Sequence, residues 1–178
     1  KDLHAFFEHC KVYYGLAVNP VSPIKKLPTE RVKQPVPTEE EFLKLLMAAD
    51  RHERNLLIAC ATTGGRRSEI FRMTWTDDVN FRERKIRLGN RKNRARELRY
   101  RWLDMNEELY AALMDQYKTR LPQSDFVFQN RDSRSQYYGQ GYTFRRRFMG
   151  KLCQKAGIEK RMGFHALRRF FASLLADH

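Results

Sequence analysis

The apolar residues of this chain recur with two periods. Phe42, Leu45, Leu46 and Ala49 return at steps of three and four, which lines one face of a helix. Thr38 follows Pro37 and has Glu41 three residues on, a capping-box signature that marks the start of that helix. A second apolar helix is predicted from about Arg54 to Thr62, stopping near Gly64 and Gly65, and a short one from Arg66 to about Met73. Residues 84–88 and 97–103 predict two strands; in the second, Leu98, Tyr100 and Trp102 alternate with Arg99 and Arg101. A polar, basic turn containing Gly89 and Asn90 lies between them. Further helices are predicted near residues 106–118, 141–156 and 164–177, with a short apolar segment from Phe126 to Phe128 followed by a polar loop. The fold class is α+β, mostly α-helical, with one small antiparallel sheet.

The N-terminal part has a different texture. Pro20, Pro23, Pro28, Pro35 and Pro37 crowd into residues 20–37 together with Lys25, Lys26, Arg31 and Lys33, which predicts an extended basic linker. Before it, Phe6, Phe7, Val12, Tyr13 and Leu16 have roughly helical spacing. That stretch is too short for a domain, so residues 1–19 read as the last helix of a preceding one, 20–37 as the linker and 38–178 as a globular domain. The chain starts at Lys1 without Met and stops at His178 inside a predicted helix, which predicts a piece of a longer protein, incomplete at the C-terminus.

Composition narrows the partners. With 178 residues and 42% hydrophobic content the chain can bury a core. Basic residues outnumber acidic ones by 35 to 21, a net charge of +14, and a surface so basic seeks a polyanion, most often nucleic acid. A basic protein with no anionic ligand is the plainer alternative. Charged residues at 31% and apolar runs no longer than Leu56–Ala61 exclude a membrane span. The N-terminus carries charges and histidines where a signal peptide would have its apolar core. Cys10, Cys60 and Cys153 are odd in number and far apart, which argues against a disulfide framework or a cysteine zinc site and fits a reducing compartment.

Three clusters could carry chemistry. In Ala61–Trp75 (ATTGGRRSEIFRMTW) the paired glycines allow a tight turn and put Arg66 at a helix start, where a guanidinium can hold a phosphate bidentately. Glu69, three residues on, is close enough to orient it. A glycine-terminated helix with a surface Arg–Glu pair suits the same residues. In Arg87–Arg99 (RLGNRKNRARELR) a basic hairpin tip could enter a DNA groove or reach a phosphate, with Lys92 a candidate proton donor; a solvated charged turn is the alternative. In Gly163–His178 (GFHALRRFFASLLADH), His165 and Arg168 share a helix face opposite Leu167, Phe170, Phe171, Leu174 and Leu175. Alone, each cluster fits the plainer reading better.

In combination the clusters resemble the tyrosine recombinase (phage integrase) family. That family's catalytic domain carries TGxRxSE, a β-hairpin lysine and HxLR, and here TGGRRSE (Thr63–Glu69), Lys92 and HALRRFFAS (His165–Ser173) stand in that order. The 99-residue gap between Arg66 and His165, the segment GLAVNPVSPI (Gly15–Ile24) and the segment MTWTDDV (Met73–Val79) also resemble the family, so nearly the whole chain is covered. The resemblance implies the recombinase catalytic fold, following a core-binding domain, and a site that cuts and rejoins double-stranded DNA through a 3′-phosphotyrosyl intermediate, with no metal and no cofactor. Arg66 and Arg168 would clamp the scissile phosphate, Lys92 would protonate the leaving 5′-oxygen, His165 would assist proton transfer and Glu69 would support Arg66. Lys25, Lys26, Arg91, Arg94, Arg145, Arg146 and Arg169 would contact DNA, the first two from the linker and Arg145 and Arg146 from a helix also carrying Arg147. A one-residue shift would put Arg91 in place of Lys92. The family's nucleophilic tyrosine lies downstream of HxxR, whereas Tyr137, Tyr138 and Tyr142 precede it, so this polypeptide alone is expected to be inactive. The family works as a tetramer on DNA, and this piece is expected to be monomeric and cytoplasmic, of prokaryotic or phage origin. A noncatalytic DNA-binding module is the main alternative. Type IB topoisomerases usually have Lys where His165 stands, which disfavours them.

Overall fold

The computed structural model describes residues 2–25, 34–90 and 98–176. Its chain divides into two compact units, Lys1–Lys33 and Gln34–His178. In the first, helix α1 (Asp2–Tyr14) leads into a turn organised by Asn19. The buried Asn19 amide donates to the His4 carbonyl at 3.1 Å and to Glu8 at 2.8 Å, while its oxygen accepts from the Val21 N–H at 2.9 Å. Ser22 and Ile24 N–H bond back to Asn19 and Val21 carbonyls, so the first residues of the predicted extended linker are a turn. Asparagine supplies the acceptor that an extended chain lacks.

In the second unit, α2 (Glu39–Ala48) begins with the predicted capping box: Thr38 Oγ1 accepts from Glu41 N–H, and the Glu41 carboxylate accepts from Thr38 N–H at 2.9 Å. Helix α3 (Arg51–Thr63) starts three residues earlier than predicted, because Asp50 and Glu53 form a second capping box. It ends at Gly64, whose φ of +57° lies in the left-handed region. The predicted helix after Arg66 is a single turn, α4 (Arg67–Ile70), and another single turn, α5 (Trp75–Asp78), precedes a short strand, β1 (Val79–Asn80), that the alternation did not reveal. Strands β2 (Lys85–Asn90) and β3 (Arg99–Asp104) complete an antiparallel sheet of order β1-β2-β3. Helices α6 (Glu107–Lys118), α7 (Phe148–Lys155) and α8 (Phe164–Ala176) follow. No helix among the described residues is long and apolar enough to cross a membrane.

The register settles which face of β3 turns inward, and one helix prediction fails. The register pairs Ile86 with Leu103 and Leu88 with Arg101, so Arg101 shares the face of the buried Ile86 and Leu88. Tyr100 and Trp102 are 50% and 53% exposed, with the Arg87 guanidinium 4.2 Å above the Tyr100 ring. The aromatic positions of β3 thus face out and an arginine faces in. Residues 141–147 are not helical, so Arg145, Arg146 and Arg147 are not on one helix: α7 starts only after them. Gly141 is held against the Phe126 ring by close packing, and Arg145 is drawn to Glu53 at 3.2 Å, which directs this segment along α3.

The core gathers Leu45, Leu56, Leu57, Ile70, Ile86, Leu88, Leu113 and Leu167, all buried. Helix α8 is fixed from three sides. Phe170 packs on Phe42 with centroids 4.9 Å apart, and Phe164 lies 5.3 Å from Phe71 and 5.5 Å from Phe148. Phe171 lies directly against Gly64, so that a Cβ there would overlap the nearest carbon of the Phe171 ring. Gly64→Ala therefore adds left-handed strain to a steric clash. We expect a loss of about 2–4 kcal/mol in urea unfolding, with α8 loosened from α3.

Candidate DNA-phosphate site

The turn between α3 and α4 is built to be narrow. Thr63 Oγ1 donates to the Ala59 carbonyl at 2.6 Å and accepts from Gly65 N–H at 3.1 Å. A Cβ on Gly65 would come within 2.9 Å of Ile70 and 3.1 Å of Leu88, so only glycine lets this turn lie against β2. Arg66 then caps α4. Its backbone N–H donates to Glu69 Oε2 at 3.0 Å and its Nη1 to Oε1 at 2.9 Å. The Glu69 side chain is 1% exposed, and Oε2 also accepts from Arg101 Nη2 at 3.1 Å. Burial raises the Glu69 pKa, but the two bonds from Arg66 and the charges of Arg101 and Arg66 outweigh it and hold the carboxyl below its ordinary value.

Arg168 reaches the same turn from α8. Its Nη1 donates to the Gly64 carbonyl at 2.8 Å, two residues before Arg66. Arg66 and His165 line a cleft of about 650 Å³ with Arg67, Ser68, Arg145, Arg146, Arg161 and Arg169. Among the described residues no carboxylate lines it. The arginines are spaced by rings: Arg67 and Arg146 lie 5.4 and 5.5 Å from the Phe144 centroid, and Arg145 lies 4.2 Å from that of Phe148. Such a cleft attracts an anion with several oxygens and presents forked donors to it. Among the described residues no group of His, Cys, Asp and Glu is arranged to hold a metal ion.

The structure brings Arg66 and His165 to one cleft with Arg145, Arg146 and Arg169; Glu69 bonds Arg66 from behind it, and Arg168 is bonded to the Gly64 carbonyl and is not among the residues that line the cleft. Lys25 is exposed and belongs to the first unit. Lys26, Arg91, Lys92 and Arg94 lie outside the described residues. Tyr137 and Tyr138 are exposed, while Tyr142 is half-buried 5.5 Å from Phe71. Arg67, Arg161 and Arg101 were not anticipated. The alternation of β3 carried a signal for Arg101, which stands two residues before Leu103 on the strand face that turns inward.

A family model described as the phage integrase family matches residues 36–178. The chain belongs to the phage integrase family. No curated protein matches it. Among solved structures, this integrase-family chain is similar to XerA recombinase, with 26% identity, a TM-score of 0.63, and 85% of this chain and 54% of that one covered. It is also similar to the integrase of transposon Tn1549, solved in complex with circular intermediate DNA: 24% identity, TM-score 0.67, covering 98% of this chain and 63% of that one. A lambda integrase dimer bound to a COC′ core site has 17% identity and a TM-score of 0.73, covering 97% and 63%. These last two matches speak for the tyrosine recombinase fold. The chain spans between 54% and 63% of the length of these relatives.

The buried carboxylate makes a prediction about pH. Because the folded-state pKa of Glu69 is depressed, its ionised form stabilises the fold above the ordinary carboxylate value of about 4.3. That contribution is lost as the pH falls through the depressed value. Glu69→Gln should therefore be less stable than the parent at pH 7, with the gap closing toward pH 3. Urea unfolding of both proteins at the two pH values measures it.

Proposed function

We propose that this chain is the catalytic module of a site-specific recombinase that cuts and rejoins double-stranded DNA through a 3′-phosphotyrosyl intermediate. The observation that carries the reading is the cleft that Arg66 shares with His165, with Arg168 bonded to the turn beside it. Residues from opposite ends of the domain converge on one turn, beside a cleft rimmed by arginines. A pentacoordinate phosphorus develops charge on its equatorial oxygens, and two guanidinium groups held in advance would stabilise that charge. In this reading Arg66 and Arg168 take the nonbridging oxygens, and His165 donates to the phosphate or moves a proton. Lys92 delivers the proton to the leaving 5′-oxygen, a task that suits an amine better than the guanidinium of Arg91. Arg145, Arg146 and Arg169 hold the flanking backbone. Residues 1–19 would close a preceding core-binding domain, 20–37 would link it, and 38–178 would form the catalytic domain. The whole recombinase would act as a tetramer on DNA in the cytoplasm, with no metal or cofactor.

The tyrosines of these 178 residues all precede His165. The polypeptide as it stands should bind a nicked suicide duplex without forming a covalent adduct on denaturing gels. An adduct would overturn the assignment of the nucleophile to a position after HxxR. In the full-length protein, Arg66→Ala or Arg168→Ala should slow strand cleavage by at least about 10²–10³-fold while DNA binding is largely retained. Equal loss of binding and cleavage would make these arginines general binding residues.

DNA affinity should fall steeply with salt, by about 0.9 log unit per tenfold rise for each phosphate neutralised. Fluorescence anisotropy between low and moderate salt reads the slope. A flat dependence would separate the basic cleft from the DNA-binding surface.

A further inference from the structure

We propose that Arg101, on β3, is a positioning residue for Arg66, acting through the carboxylate they share. This rests on the reading of Arg66 as a phosphate clamp. The inward face of a strand ordinarily carries apolar side chains, and Arg101 occupies one opposite the fully buried Leu88. What it meets there is Glu69. One carboxylate serves two guanidinium groups: Oε1 takes Arg66 Nη1, and Oε2 is divided between the Arg66 backbone N–H and Arg101 Nη2.

Two consequences follow from this division. The first is charge. Glu69 with Arg66 alone would be a neutral pair, and a neutralised guanidinium attracts a phosphate weakly. With Arg101 the group carries one net positive charge, so Arg66 is oriented by the carboxylate without being cancelled by it. The second is placement. Arg101 draws Oε2 toward the sheet, which leaves Oε1 to fix the direction of the Arg66 fork. The same seam carries a second tie, from Arg72 Nη2 to the Gly89 carbonyl at 2.9 Å. Gly65 lies against Leu88 between these ties. Strands β2 and β3 are thereby held against the turn that presents Arg66.

The test compares wild type, Arg101→Gln, Arg101→Lys and Arg66→Ala in the 178-residue polypeptide, with circular dichroism and thermal melting to verify folding. Two readouts are taken. One is the Nε–H resonance of Arg66 in ¹H–¹⁵N spectra, assigned by its absence in Arg66→Ala. The other is the affinity for orthovanadate, a phosphate analogue, measured by calorimetry. The proposal expects Arg101→Gln to shift or broaden the Arg66 resonance and weaken vanadate about three- to five-fold, the worth of a half-exposed ion pair. Arg101→Lys, which keeps the charge but not the fork, should recover most of the affinity. An unmoved Arg66 resonance in a folded Arg101→Gln protein overturns the proposal, as does unchanged vanadate binding where Arg66→Ala weakens it. If wild type and Arg66→Ala bind vanadate equally, the clamp reading fails instead. The Arg66 resonance then still decides whether Arg101 positions that side chain.

Discussion

The approach of α8 to the end of α3 is the constraint on which this structure depends. Gly64 takes a left-handed conformation there, the Phe171 ring occupies the space that a Cβ would need, and the carbonyl freed by the end of the helix accepts the Arg168 guanidinium. Helix termini leave carbonyls without intrahelical partners, and a charged donor is among the strongest ways to satisfy one. A single close contact therefore ends α3, docks α8 and delivers a catalytic candidate to the turn that carries another. Because Arg66 and His165 are 99 residues apart in sequence, nothing local could bring them together. The rings of Phe42, Phe71 and Phe148 then prevent α8 from rotating about that contact.

Such a site holds many like charges close together, and the structure shows how that is tolerated. The carboxylate that organises Arg66 is buried behind the turn, away from the cleft surface, so the face open to a ligand stays cationic. Along the rim, aromatic rings do the spacing. Phe144 is 61% exposed yet has the guanidinium groups of Arg67 and Arg146 within 5.5 Å of its centroid, and Arg145 is shared between the Tyr142 and Phe148 rings and the Glu53 carboxylate. Arginine is suited to this because its planar, weakly hydrated head stacks on a ring without giving up its in-plane donors. Lysine at the same positions would bring charge without direction.

Helical elements were legible in the sequence where their signals are local. The capping box at Thr38, the apolar stripe of α2 and the glycine stop of α3 each follow from residues within one or two turns. The start of α3 was missed although Asp50 and Glu53 spell the same box as Thr38 and Glu41, because the apolar periodicity begins later than the cap. Strand β1 has two residues and owes its existence to pairing with β2, which no alternation within it could announce. The inward face of β3 has a different origin. Alternation separates its two faces but not which is buried, and the buried acid of Glu69, thirty-two positions away, decides in favour of Arg101. The segment 141–147 similarly answers to Phe126 and Glu53, which lie far from it in sequence. For the site, the motif residues were legible as types in order. Their convergence was implied by the family resemblance alone, since no local pattern carries the α3–α8 contact that sets it.

In the proposed reading, these features would leave the site ready for a phosphate before one arrives. Arg168 is oriented by a backbone carbonyl, Arg66 by a buried carboxylate that itself cannot turn, and both partners are fixed by the core behind them. Preorganised donors need no rearrangement as charge develops on a reacting phosphate, and this is where electrostatic catalysis gains most. The cost is borne by the fold, which must bury Glu69 and compress glycine against Phe171. A substitution at either place should therefore loosen the site before it unfolds the domain. Stability and readiness for the anion are coupled here through the same few contacts, so the residues that end α3 serve both.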